Sequence, residues 1–148
     1  NADQADFEAR AFRSPEGITR TDESGKVIGA DPDDWQVSPD FAHRVWSVGP
    51  AWPNPAELNA EVRVELEVRP QAMNRLRLYG DPYSCGLQSD FQLLDEEDGL
   101  LPAGYTVLRF PVAALRCSGA VTVTTGLRRL FVMDHYGNLI SYGDIEIR

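Results

Sequence analysis

Two-residue alternation dominates this chain. In Val62-Arg63-Val64-Glu65-Leu66-Glu67-Val68-Arg69 every second residue is apolar. Successive side chains of a strand point to opposite faces, so the stretch predicts a half-buried β-strand with Val62, Val64, Leu66 and Val68 turned to a core. Trp52-Pro53-Asn54-Pro55 precedes it as a rigid lead-in, and Pro70, which has no amide donor, ends its pairing. Arg75-Leu76-Arg77-Leu78-Tyr79 resumes the alternation before the Gly80-Asp81-Pro82 turn. Val45-Trp46-Ser47-Val48 reads as a first core strand with Trp46 inside, and Tyr105 to Phe110, Ala120 to Thr124 and Leu130 to Met133 read as further strands. Asp95-Glu96-Glu97-Asp98-Gly99 reads as an acidic turn. The end of the chain reads as a hairpin: a turn at Asp134 to Asn138, then Leu139 to Tyr142, a break or bulge at Gly143-Asp144, and Ile145 to Ile147. Strand signals recur about every ten residues and no helical period persists over three turns beyond residue 40, which predicts an all-β body with the spacing of a sandwich.

The first 40 residues differ. Ala2 to Arg13 predicts a short helix with Phe7 and Phe12 on neighbouring faces, and Ser14-Pro15-Glu16-Gly17 follows as a break. Ile18 to Thr21 and Lys26 to Ile28 predict a hairpin around Asp22 to Gly25, where Asp opens the turn and Gly25 takes the left-handed position. Asp31-Pro32-Asp33-Asp34-Trp35 and Ser38-Pro39 are turn chemistry leading to Phe41. Ten acidic and four basic side chains lie in this arm, against thirteen and ten in residues 41–148. The net charge of −9 is therefore concentrated at the N-terminal end. The expected division is an acidic, partly irregular or helical arm over 1–40 and a β-body over 41–148.

Composition narrows the function classes. A chain of 148 residues can bury a core of ordinary stability without metals, and its apolar runs fall short of the roughly 20 residues that span a bilayer. Its cations interleave with acids along the strands, so no basic face forms for phosphates and nucleic acid is not an expected partner. Thirteen of the fourteen basic residues are Arg, which fits a GC-rich coding sequence. Cys85 and Cys117 have no CxxC spacing and no adjacent His, which argues against zinc and leaves either a disulfide or two buried thiols. We favour the bridge, in keeping with an oxidising compartment. The chain begins at Asn1, as a processed protein would, with an export signal expected upstream.

The ordered set Trp52-Pro53-Asn54-Pro55, Val62 to Val68, Leu76-Arg77-Leu78-Tyr79, Leu101-Pro102-Ala103-Gly104 and Ser118-Gly119-Ala120-Val121 resembles the immunoglobulin-like modules of flagellar hook-capping proteins and the related C-terminal sorting domains of secreted Bacteroidota-type proteins. The likeness covers residues 50–133. Those sorting domains are shorter and are appended to a larger passenger, whereas here an acidic arm precedes the module and a Tyr136 to Ile147 hairpin follows it. The resemblance implies an immunoglobulin-like antiparallel β-sandwich exported to the bacterial periplasm, outer-membrane surface or extracellular space. It also implies a structural or accessory role, with another envelope or extracellular protein as partner. Membrane contact would come only through a lipid anchor upstream of Asn1, and no catalytic residues are carried over.

Three sets of residues are candidates for chemistry. Asp31, Asp33 and Asp34 offer oxygens to Ca²⁺, a hard cation, although the EF-hand Gly and closing Glu are missing; the alternative is a solvated turn capped by Asp31. Asp95 to Asp98 has the same two readings. Trp35, Trp52 and Tyr136, with Trp46, Tyr79 and Tyr83, could stack on sugar rings or pack in the core and at its rim. Trp35, in its acidic loop, is the one expected to be most exposed, with Trp52 covering a sandwich edge. His43 and His135 are the only histidines, and Asp134-His135 reads as a turn and not a dyad. Glu65 and Glu67 share the outward face of a strand, and GxSxG, HExxH and phosphate-cradling loops are all missing, so an enzyme is not expected.

Overall fold

A computed structural model of the chain describes residues 2–70, 73–81, 85–86 and 90–148. The Tyr83 proposed for stacking, and Pro82 of the expected turn, lie outside the described residues. Helix α1 spans Ala2–Ala11. Nine strands follow among the described residues: β1 (Arg20–Thr21), β2 (Val27–Gly29), β3 (Val45–Val48), β4 (Glu61–Val68), β5 (Leu76–Gly80), β6 (Gln92–Glu97), β7 (Gly104–Pro111), β8 (Gly126–Met133) and β9 (Leu139–Ile147). All named strand pairs are antiparallel, in the orders β1-β2, β3-β4-β7 and β6-β5-β8-β9. The protein is therefore all-β apart from one α-helix and short 3-10 turns among the described residues.

The alternation in β4 has the expected consequence. Val62, Val64, Leu66 and Val68 are buried, and they share one cluster with Leu108 and Phe110 of β7, Leu76 and Leu78 of β5, Leu130 and Val132 of β8, and Ile145 and Ile147 of β9. The three- and four-stranded sheets thus bury a common core. The odd-numbered residues of β8 point the other way. Phe131 and Met133 join Phe7 and Ala11 of α1 and Leu139 and Tyr142 of β9 in a second cluster. Helix α1 accordingly lies on the far side of the four-stranded sheet, and Phe12 just after it stacks on Phe131 at 5.4 Å.

Several local expectations are corrected. Residues 120–125 are not a strand but bends and irregular chain, with Val121 88% exposed. β-Branched residues favour a sheet only through neighbours to pack against, and among the described residues no strand pairs with this stretch. The acidic run at 95–99 is not a turn throughout. β6 continues to Glu97 because Arg77 pairs with Glu96 across the ladder at 3.5 Å and Asp95 accepts a hydrogen bond from the Arg109 amide at 2.8 Å. The chain reverses only at Gly99, whose φ is +80°.

The break expected at Gly143 lies elsewhere. Met133 pairs with Leu139 and Val132 with Ser141, so the register slips opposite Ile140, and β9 runs unbroken through Gly143. Gly143 instead seats Trp35: a Cβ there would collide with the indole ring. Trp35 was expected at the surface and Trp46 in the core, and both are reversed. Trp35 is 6% exposed in the main core, whereas Trp46 is 58% exposed with the Arg69 guanidinium 3.8 Å from its ring centre.

Candidate functional site

Arg128 and Arg129 stand side by side in β8 and are both buried. Alternation sends them to opposite faces of the sheet. Arg128, on the core side, donates to the Leu115 carbonyl at 3.0 Å and to Gln92 Oε1 at 2.7 Å, and its Nε lies 3.7 Å from the Asp81 carboxylate. Burial pushes its pKa down, and Asp81 opposes that. Arg129 is directly opposite Asp144 in the ladder and forms a two-pronged ion pair with it, Nε to Oδ1 at 2.7 Å and Nη2 to Oδ2 at 2.9 Å. A forked guanidinium matches a carboxylate in this way, and breaking one side of a buried pair is costly. Burial opposes the Arg129 charge, but Asp144 outweighs it and holds the guanidinium pKa above its ordinary value.

The remaining donor of Arg129 ties down the arm. Nη1 donates to the carbonyls of Arg10, Ala11 and Arg13 at 3.0, 3.1 and 3.0 Å. These groups lie at the C-terminal end of α1, where carbonyls lack helical partners and a cation is favourable. The Glu16 amide donates to Asp144 Oδ2 at 3.2 Å, and the Thr19 amide to Asp34 Oδ2 at 3.2 Å. A small cavity of about 60 Å³ lies here, with Asp34, Asp144 and Arg129 beneath it and Arg10, Arg13 and Glu16 of the arm around it. Burial, followed by the neighbouring Asp144 and Asp31 carboxylates, raises the Asp34 pKa to about 8.

The expected site residues fall in separate places. Asp34 is buried at this cavity. Asp31 and Asp33 line the same cavity, but Asp31 Oδ1 is turned to the Asp33 amide at 3.0 Å as a turn cap. Among the described residues, no group of three or more His, Cys, Asp or Glu side chains is arranged to hold a metal ion. Asp95 is taken up by the Glu96 and Arg109 amides.

Trp35 is buried and offers no open ring face to a sugar. Trp52 is half-buried against Gly25, and its ring lies 5.1 Å from the Arg63 guanidinium. With Tyr105, Ser47 and Glu65 it lines a depression of about 240 Å³ on the outer face of β3-β4-β7. Tyr136, 79% exposed at the tip of the β8-β9 hairpin, lines a different depression with Arg44, Arg75 and His135. Asp134 accepts from the Tyr136 and Asn138 amides at 2.9 and 2.8 Å and from Asn138 Nδ2 at 3.0 Å, which is turn chemistry. Glu65 and Glu67 sit half-buried on the outward face of β4. Cys85 and Cys117 form a disulfide.

Arg128, Arg129 and Asp144 were missed in the sequence. Part of a signal was present: two adjacent arginines interrupt an otherwise apolar run, but regular pairing outward from the Asp134 to Asn138 turn sets Arg129 against Gly143, and only the register slip at Ile140 brings Asp144 opposite it.

No protein-family model matches the chain, and no curated protein matches it. Solved structures give distant likenesses. A β-glucosidase from Streptomyces venezuelae in complex with D-glucose is 15% identical, with a TM-score of 0.47 over 62% of this chain and 13% of its own. A superoxide reductase (neelaredoxin) from Ignicoccus hospitalis is 11% identical, with a TM-score of 0.46 over 79% of this chain and 93% of its own. A β-D-glucoside glucohydrolase from Trichoderma reesei is 15% identical, with a TM-score of 0.46 over 98% of this chain and 22% of its own. The chain thus spans only a small part of either glucosidase, and likenesses this distant assign no activity.

Proposed function

We propose that this protein is an exported, non-catalytic β-sandwich of immunoglobulin-like topology that serves the bacterial envelope as a structural or accessory interaction module. The sheet order carries the reading. Taken as strands A, B, C, C′, E, F and G, β3 to β9 give one sheet ordered A-B-E and another ordered C′-C-F-G, the kind of strand partition found in immunoglobulin-type sandwiches. Folds of this kind present edges and faces to other proteins. The disulfide supports an oxidising compartment. The buried charges support a non-catalytic role, because Arg128 is spent on the Leu115 carbonyl and Gln92 inside the body, and Arg129 and Asp144 on joining sheet to arm. Chemical cross-linking in intact cells of the source organism, followed by size-exclusion chromatography of the envelope fraction, tests the reading. A stoichiometric complex with one envelope protein is expected, and a chain found only free and monomeric overturns it.

A second reading, as a carbohydrate-binding module, draws on one observation. Tyr105 is 65% exposed beside Trp52 and Glu65 in the outer-face depression, and aromatic faces with a nearby carboxylate suit sugar rings. Titration calorimetry against a panel of neutral glycans, with Tyr105→Ala as control, tests it; heat that Y105A abolishes is expected, and its absence rejects this reading.

A further inference from the structure

We infer that the outer face of the β3-β4-β7 sheet is a self-complementary interface that docks a second copy of this chain, related by a two-fold axis crossing the strands through Gly49, Glu65 and Val107. The inference deepens the reading as an interaction module by naming one partner, and it competes with the carbohydrate reading, which needs Tyr105 uncovered. Helix α1 covers the outer face of the four-stranded sheet. Among the described residues the three-stranded sheet has no such cover, only Gly25 against Trp52 at one corner. Its bare face carries Trp46, 58% exposed, and Tyr105, 65% exposed. Aromatic side chains and Arg are what binding surfaces concentrate.

Charge selects the occupant. The chain carries −9, yet this face is balanced, with Glu61, Glu65 and Glu67 against Arg63, Arg69 and Arg109. Two copies therefore meet here without the repulsion their net charge imposes elsewhere. Among the described residues Glu65, Glu67 and Arg109 make no ion pair within the chain. The ladder sets Arg63 opposite Arg109, Glu65 opposite Val107 and Glu67 opposite Tyr105, while the Gly49 amide donates to the Glu65 carbonyl. Turning a second copy over about that central row lays β4 on β4 in opposite directions. Arg63 then faces the second copy's Glu67, Arg69 its Glu61, and Arg109 the ring of its Tyr105, each twice by symmetry. On β3, Trp46 and Ser47 come over its Trp52, since Ser47 stands opposite Glu67 and Trp52 opposite Arg63. The like-charged contact along β4 is Glu65 on Glu65, at the axis. At about 3.3 Å per residue and 4.8 Å per strand, the face measures roughly 26 by 14 Å. That is less than the roughly 800 Å² per partner of a standard stable complex, so the dimer is of micromolar strength or weaker.

Sedimentation velocity of the purified full chain from about 5 to about 500 µM tests this. A reversible monomer-dimer equilibrium is expected, and monomer throughout overturns the inference. Trp46→Ala and Tyr105→Ala, both at exposed positions, should each raise Kd about tenfold or more. Arg63→Glu and Glu67→Arg should each weaken the dimer likewise, because each sets like charges together twice. An equimolar mixture of R63E and E67R restores both pairs and should associate about as tightly as the unaltered chain. A dimer indifferent to these changes, or a mixture no tighter than its components, overturns the inference. A purified chain that stays monomeric yet cross-links to another envelope protein in cells removes this inference alone; a dimer with no such protein upholds it while the envelope role fails.

Discussion

Asn54 shows how much a single polar residue can organise. It is fully buried in the Trp52-Pro53-Asn54-Pro55 segment, where both prolyl bonds are cis. Its Nδ2 donates to the carbonyls of Thr19 at 3.0 Å and Asp144 at 2.9 Å, its Oδ1 accepts from the Glu146 amide at 3.0 Å, and its own carbonyl accepts from the Thr21 amide at 2.9 Å. One side chain thereby fastens the arm to β9. Asn54→Ala strands two carbonyls and an amide away from water and should cost about 2–5 kcal/mol, read as a lower urea midpoint. Gly143 is demanding for the opposite reason, because it must have no side chain under Trp35. Gly143→Ala should cost about 1–3 kcal/mol or more through overpacking and move Trp35 fluorescence to longer wavelength; an unchanged spectrum and midpoint would show that the indole is not seated there. Neither role was legible in the sequence, since Asn54 resembles an ordinary turn residue and Gly143 an ordinary break.

Among the elements, the strands were the more legible part. β4, β5, β7 and β9 carry alternating or apolar patterns that state their facing directly, and the short β1-β2 hairpin follows from Asp22, which accepts from the amides of Ser24 and Lys26 at 2.9 and 3.0 Å. The true start of β8 was not legible, because Arg128 and Arg129 look like solvent-facing residues until their partners are known. Helix α1 is marginal by itself at ten residues, and its stability comes from Phe7 against Tyr142, with ring centres 5.2 Å apart. Phe7→Ala should strip exchange protection from α1 while lowering the urea midpoint of the body much less, and equal loss in both would show that arm and body unfold together. The Cys85–Cys117 bridge joins residues 32 apart in sequence. Replacing both with Ala should lower stability by about 3–4 kcal/mol through the freer unfolded chain, measurable as a urea midpoint shift.

For the molecule as a whole, Asp34 gives stability an uncommon pH dependence. A carboxyl whose pKa is raised to about 8 by folding binds its proton more tightly in the native state. Its contribution is therefore complete below the unfolded value near 4 and declines as pH rises toward 8. Urea midpoints should fall between pH 5 and 8 in the unaltered protein and fall less in D34N; parallel curves would remove Asp34 as the cause. The linear pattern of apolar and polar residues determined that the body would be extended chain with Val62, Val64, Leu66 and Leu78 inside, because a strand's two faces are written in its odd and even positions. It also determined that the first 40 residues would carry most of the net charge. Tertiary structure alone decided that Trp35 would go in and Trp46 out, that helix α1 would lie across the four-stranded sheet, and that Arg129, Asp144 and Asp34 would meet. Burial of a charge or a ring depends on partners brought from distant parts of the chain, and no local period encodes them.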